Sequence, residues 1–189
     1  LTDRAEREAA VSMQGGELEI AWPESTGRVT MTGEAATAFD AVWEEPLESL
    51  TAVLAKVVPT LRTPRLILRP HGLSDLADLE RSMSDFETAR YTRTWPHPYP
   101  PGESRRFLRR ISSSNIAGDS CGWALTLAST GEYIGSMGMM IDRPMMVAEV
   151  GYTVMKPFAG RGYCTEALGA VVRDAFERQK LRKLFATYY

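Results

Sequence analysis

The chain has 189 residues, 44% of them hydrophobic, with two cysteines, two histidines and a formal net charge of −2. That is enough apolar material for one sizeable core or two small ones. Cys121 and Cys164 form no C-x-x-C pair and have no histidine near them in sequence, so neither a disulfide framework nor a metal site is supported. No apolar run nears the ~20 residues of a membrane span, and the acidic start lacks the form of a secretory leader, so a reducing, cytoplasmic setting is expected.

The charge is unevenly spread. Residues 1–60 hold four Lys and Arg against eleven Asp and Glu, whereas residues 61–189 hold eighteen against thirteen. The second part suits a small polyanionic ligand but lacks the dense basic stripe of a nucleic-acid binder, so no nucleic-acid partner is expected. The chain opens on Leu1 and stops at Tyr189 inside a strand-like run, and it reads as a piece cut at both ends.

Residues 1–10 are charged and alanine-rich, and the opening Leu1-Thr2-Asp3-Arg4 reads as a helix end followed by a linker. Alternation in Glu17-Leu18-Glu19-Ile20-Ala21-Trp22 and in Arg28-Val29-Thr30-Met31-Thr32, around Pro23-Glu24-Ser25-Thr26-Gly27, predicts a β-hairpin. From Gly15-Gly16-Glu17 through Thr32-Gly33-Glu34 to Phe39, this segment resembles the C-terminal end of diaminopimelate epimerase. The resemblance covers residues 1–43. In that family two cysteines in glycine-rich loops act as acid and base, and neither cysteine of this chain has that context, so no catalytic residue carries over. Residues 44–58 predict a helix, with Pro46 and three glutamates at its start and Leu47, Leu50, Val53, Leu54 and Val57 on one stripe. Pro59 ends it, and residues 44–62 read as a linker helix.

Residues 65–70 predict a strand, and Ser74 with early acids predicts a capped helix. Pro96, Pro98, Pro100 and Pro101 force a loop that also holds Trp95, His97 and Tyr99. A basic amphipathic helix follows over 103–111, with Phe107, Leu108 and Ile111 on one side. Residues 121–128, 132–141 and 146–155 predict an antiparallel meander, 163–180 a helix with Ala167, Leu168, Val171, Val172, Ala175 and Phe176 inward, and 183–189 a further strand. A strand, a helix of that length and another strand imply a parallel pair with a right-handed crossover. The fold class is therefore α+β, a mixed sheet flanked by helices.

Lys156-Pro157-Phe158-Ala159-Gly160-Arg161-Gly162-Tyr163 sits at the junction of strand and helix. Unpaired amides and the positive end of the helix dipole favour an anion there, glycines let a phosphate approach, and Arg161 adds charge. With the preceding Glu149-Val150-Gly151-Tyr152-Thr153-Val154-Met155 and the following Cys164-Thr165-Glu166-Ala167-Leu168, this stretch resembles the acetyl-CoA-binding core of the GNAT acyltransferases. It is most similar to the branch that acetylates N-termini of ribosomal proteins and small amines. The resemblance runs from 63 to 189 and marks that span as the catalytic domain, incomplete at its end.

The resemblance implies an acetyl-CoA-dependent N-acetyltransferase acting on a primary amine by direct transfer. Amides of Ala159, Gly160, Arg161, Gly162 and Tyr163 would hold the pyrophosphate, and Val154 and Met155 would pair with the pantetheine. Pro157 stands where the family often has Gln or Arg, and it removes a side-chain contact and one N–H. The family's loop over the acceptor implies substrate contacts from Trp95, His97 and Tyr99, although the aromatic rings equally suit pinning the loop to the core.

Glu149 is the candidate base. It shares a strand face with Val147, Gly151 and Thr153, and a carboxylate on a partly buried strand can hold a proton taken from an amine; a structural hydrogen-bonding role is the alternative. Cys164 is set aside as a nucleophile and Glu166 is read as a charge favouring the helix start. Two rival functions remain: a fragment of a lysine-pathway epimerase fused to an acyltransferase domain, and a non-catalytic CoA-binding module.

Overall fold

A computed structural model of the chain describes residues 8–13, 16–21, 30–33, 46–90, 92 and 95–187. It divides into two compact units, 1–45 and 46–189.

In the first unit, strands β1 (Glu8–Met13), β2 (Gly16–Ala21) and β3 (Thr30–Gly33) form an antiparallel sheet in that order. The predicted hairpin is the β2–β3 pair, with Ile20 opposite Met31. The helix end and linker expected over 1–10 is corrected in part. Glu8–Met13 is a strand, because its Ala-Ala-Val-Ser-Met run pairs in continuous register with β2, from Glu8 opposite Ala21 to Met13 opposite Gly16. The turn expected at 23–27 lies outside the described residues.

The second unit begins with α1 (Leu47–Val57), three residues later than predicted. The stripe is narrower than expected. Leu47, Leu54 and the following Val58 are buried, whereas Val53 and Val57 are exposed. Leu54 and Val58 belong to the same core cluster as Leu66 and Trp123, and the Trp123 indole donates to the Pro59 carbonyl at 2.7 Å. The helix is thus built into this unit rather than suspended beside it.

A six-stranded sheet follows, from β4 (Leu61–Arg62), β5 (Leu66–Arg69), β6 (Ser120–Leu127), β7 (Tyr133–Asp142), β8 (Val147–Val154) and β9 (Lys183–Phe185), in chain order. All neighbours are antiparallel except β8 and β9, the parallel pair that the crossover reading required. Between β5 and β6 lie α2 (Leu76–Ser84), α3 (Phe86–Ala89) and α4 (Glu103–Ala117). Ser74 does not cap α2. It lies in a 3-10 turn over Leu73–Asp75, where the Asp75 carboxylate accepts from the Gly72 amide at 2.8 Å. Between β8 and β9 runs α5 (Tyr163–Arg173), which continues as a π-turn over Asp174–Arg178 instead of a uniform helix to 180.

Residues opposite each other in an antiparallel ladder share a face, and this sorts the sheet into two sides. Trp123, Met137, Met139, Ile141, Ala148 and Val150 face α5 and pack with its Ala167 and Val171. A fully buried leucine in this cluster, such as Leu66, contributes about 2 kcal/mol by leaving water. Phe176, expected inward, is 44% exposed, because the π-turn shifts the angular position of residues beyond Arg173. On the other side, Ala124 and Tyr133 pack with Leu79 and Met83 of α2, with Phe107, Trp95, Tyr99 and Met155 against them.

Candidate functional site

The turn between β8 and α5 has open space at its first glycine, where an added Cβ at Gly160 would meet nothing within 4 Å. Lys156–Phe158 forms a 3-10 turn, and Gly160 and Gly162 then take left-handed conformations at φ +73° and +78°. A side chain at either position would be strained there, which is what the G-R-G spelling supplies. The Ala159 amide donates to the Lys156 carbonyl at 3.2 Å, so it is already engaged. Among the described residues, the amides of Gly160, Arg161, Gly162 and Tyr163 donate to no protein group, and the first helical bond closed onto this turn is Glu166 N–H to the Gly162 carbonyl at 3.0 Å. Of the five amides expected, four, those of Gly160 to Tyr163, therefore present themselves at the positive end of α5.

The turn is braced from a distance. Glu166 accepts from the Thr63 hydroxyl at 2.6 Å, the Arg65 amide at 2.8 Å and Arg65 Nε at 2.6 Å. Arg65 Nη1 reaches the Arg161 carbonyl at 3.0 Å, and its guanidinium lies 4.6 Å from the centre of the Tyr163 ring. Burial works to raise the Glu166 pKa, but these donors outweigh it and hold the carboxyl below its usual range. Glu166 is thus a tether as well as a charge at the helix start. Its partners sit a hundred residues away, where sequence spacing gives no signal.

These amides open on a cleft of about 560 Å³ lined by Tyr152, Val154, Phe158, Gly160 and Tyr163, with Glu87, Thr88 and Thr92 on its far wall. The residues of that wall were not singled out in the sequence, because a short helix after a loop carries no motif. Along β8, the Met155 amide donates to the Ile134 carbonyl at 2.8 Å, so Met155 turns its N–H toward β7. By the alternation of a strand, Val154 turns its N–H and C=O the opposite way. Among the described residues, β9 pairs with β8 on that side as far as Glu149 opposite Phe185. Among the described residues Val154, not Met155, therefore presents main-chain groups free of strand pairing on that side, and the Met155 side chain packs against the cluster of Leu79, Met83, Ala124 and Tyr133.

Glu149 lies on the face away from α5, in one row with Met140 of β7 and Phe185 of β9. It does not line the cleft just described. It borders a second cavity of about 610 Å³ with Met140, Asp142, Arg143 and Phe185. Gly151, two residues on, has nothing within 4 Å of the place a Cβ would occupy.

The three aromatic residues of the proline loop separate. Trp95 and Tyr99 join the cluster of Met83 and Tyr133, with the Tyr99 hydroxyl donating to Met83 Sδ at 2.8 Å. His97 is exposed, with its ring 5.0 Å from that of Phe86. The pinning role thus accounts for two of the three. Burial pushes the Cys164 thiol up, against a nucleophilic role. Among the described residues no three His, Cys, Asp or Glu side chains converge as a metal site, and no helix is long and apolar enough to cross a membrane.

Known proteins share this fold. The model of the acetyltransferase (GNAT) domain matches residues 65–189. An uncharacterized N-acetyltransferase, p20 of Bacillus licheniformis, is 29% identical over 128 residues, 67% of this chain and 71% of the relative. The crystal structure of an acetyltransferase from Agrobacterium tumefaciens superposes with a TM-score of 0.57 at 28% identity, covering 67% of this chain and 72% of the other. Mycobacterium smegmatis RimJ, solved with CoA-disulfide, superposes with a TM-score of 0.59 at 20% identity, covering 69% and 66%, and shows a likeness of fold alone.

Proposed function

This chain belongs to the acetyltransferase (GNAT) domain family, and on that premise we propose that it is an N-acetyltransferase that takes acetyl groups from acetyl-CoA to a primary amine, on a protein N-terminus or a small molecule. The observation that carries the reading is the run of four unpaired amides from Gly160 to Tyr163, opening the N-terminus of α5 onto a cleft. Such a run suits a diphosphate, with the exposed Arg161 side chain as a counter-charge. The Val154 main chain, free of strand pairing on one side among the described residues, suits an amide-bearing arm, which in extended form reaches along the strand toward Gly151 and Glu149. Met155 and Ala159 contribute shape there, their amides being engaged.

Acetyl-CoA, when bound, would supply the activated thioester: the C–S bond would break as the amine nitrogen bonds to the acetyl carbon, and CoA would leave as its thiol with the second proton that the nitrogen sheds. The residues of the chain do the rest. The amides and Arg161 anchor the charged end, Val154 aligns the arm, and Glu149 accepts the proton that the ammonium must lose before its nitrogen can attack, directly or through a water. Trp95 and Tyr99 hold the neighbouring loop, and His97 takes no part in the proton transfer.

The likeness of residues 1–43 to an epimerase terminus rests on the sequence motif and assigns no chemistry to that unit. The test of the acetyltransferase reading is titration calorimetry of the full chain with acetyl-CoA, followed by transfer to a panel of amines. We expect micromolar affinity, weakened about tenfold in Arg161→Ala. Absence of affinity overturns the reading, and affinity with no acceptor in the panel points to a CoA-binding module instead.

A further inference from the structure

Gly122, Gly138 and Gly151 stand opposite one another in three adjacent strands, Gly122 paired with Gly138 and Gly138 with Gly151. They share the face of the sheet away from α5. The row on one side is Ser120, Met140 and Glu149, and the row on the other is Ala124, Ser136 and Thr153. A channel one residue wide, with no side chain on its floor, therefore crosses β6, β7 and β8.

The two ends of this channel differ. A Cβ added at Gly151 meets nothing within 4 Å, and at Gly138 it meets only backbone, at 3.3 Å from the Cys121 carbonyl oxygen and 3.4 Å from Gly122 Cα. At Gly122 the nearest atom is Asn115 Nδ2, at 3.7 Å. The channel is open at β8 and closed at β6 by the Asn115 amide. Asn115 is 5% exposed; its Oδ1 accepts from the Ser120 hydroxyl at 2.6 Å, and its Nδ2 is buried with no partner. A buried donor left without an acceptor is costly, so native structures rarely keep one unless something else fills the role. On the facing wall, Thr153 Oγ1 is also buried without a partner.

The geometry points to this channel as the seat of the acceptor, a peptide main chain lying extended across three strands with its free amine toward Glu149 and a carbonyl oxygen accepting from Asn115 Nδ2. This rests on the acetyltransferase reading for the identity of the amine. The argument for a peptide is one of length and chemistry. Adjacent strands lie ~4.8 Å apart, so Gly151 and Gly122 are separated by ~10 Å, about the reach of three extended residues. The carbonyl that meets Asn115 belongs to the second or third residue. The bare floor fits a backbone, whereas a simple alkylamine reaches the same distance and leaves the donor unmet.

The experiment is titration calorimetry on the full chain with saturating CoA, which has no acetyl group to transfer, so binding is read without turnover. The probes are tri-alanine amide and hexylamine. Asn115→Asp keeps the size and the Ser120 bond but puts an acceptor where the donor was; Gly151→Leu projects into open space at the mouth. We expect both variants to weaken tri-alanine amide binding at least tenfold, Asn115→Asp to leave hexylamine unchanged while lowering the melting temperature through its buried carboxylate, and the melt of Gly151→Leu to stay near that of the unsubstituted chain. The proposal is overturned if the unsubstituted chain binds the tripeptide no better than hexylamine, or if the two variants bind the tripeptide as tightly as the unsubstituted chain. Loss of CoA affinity would strike the acetyltransferase reading instead, and the tripeptide titration without CoA would still decide the channel.

Discussion

Glu166, in the first turn of α5, accepts hydrogen bonds from both the main-chain amide and the guanidinium of Arg65 at the entry to β5, at 2.8 and 2.6 Å. The contact joins the first strand matched by the family model to the turn that presents the free amides, and Arg65 also holds the Arg161 carbonyl.

Glu166→Ala should therefore act on binding as well as on stability. The carboxylate is 16% exposed and Arg65 is 48% exposed, so solvent screens part of the pair. With three donors left unmet, we expect a loss of about 2 kcal/mol in a urea titration and about tenfold weaker CoA binding in calorimetry. A loss of stability with CoA affinity unchanged would show that the tether does not shape the turn.

Glu149→Gln retains the size of the side chain and removes its capacity to take a proton. We expect kcat for amine acetylation to fall by about 10²- to 10⁴-fold with acetyl-CoA affinity unchanged, and the loss to be smaller at high pH, where the amine is already neutral. Equal losses in both quantities would mark Glu149 as a structural group.

His71 gives a pH dependence with a defined sign. It is 3% exposed, between the rings of Phe107 and Tyr133 and beside the Arg69–Asp75 ion pair, and burial pushes its pKa down to about 4. Between that value and the ordinary 6.5 the unfolded chain binds a proton that the native chain refuses. Stability should be full above about pH 6.5 and fall by about 3 kcal/mol as the pH drops to about 4. Chemical denaturation across that range checks it, and His71→Gln should flatten the slope there. Asp75, held low by Arg69 and the Gly72 amide against the effect of burial, adds its own loss at more acid pH.

Gly135→Ala tests the packing of β7 against β8. A Cβ at that position would overlap the Thr153 carbonyl, a backbone atom that cannot move aside without shifting the strand. We expect about 3 kcal/mol of destabilisation, read as a lower urea midpoint. A midpoint within experimental error of the unsubstituted chain would mean that the strands part freely there.

The meander, the crossover helix and the glycine turn that joins strand to helix were all legible in the residue order. Each depends on local rules: alternation for β6 to β8, helical spacing for Ala167 and Val171, and two glycines for a turn that needs positive φ. The face shared by Glu149, Gly151 and Thr153 followed from the period of a strand in the same way. Local rules also explain the misreadings. Alternation did not identify β1, whose Ala-Ala-Val run becomes a strand only by pairing with β2, and helical periodicity did not foresee the π-turn that leaves Phe176 in solvent.

What the amino-acid order determined by itself was the kind of elements, their succession and the chemistry available at one junction. Which amides of that junction remain free, how Arg65 reaches Glu166, and how three glycines far apart in the chain line up beneath Asn115 were decided only by the tertiary structure. The physical reason is that these are matters of register and long-range pairing. A strand's own residues specify its faces, but only its neighbours specify which residue stands opposite which.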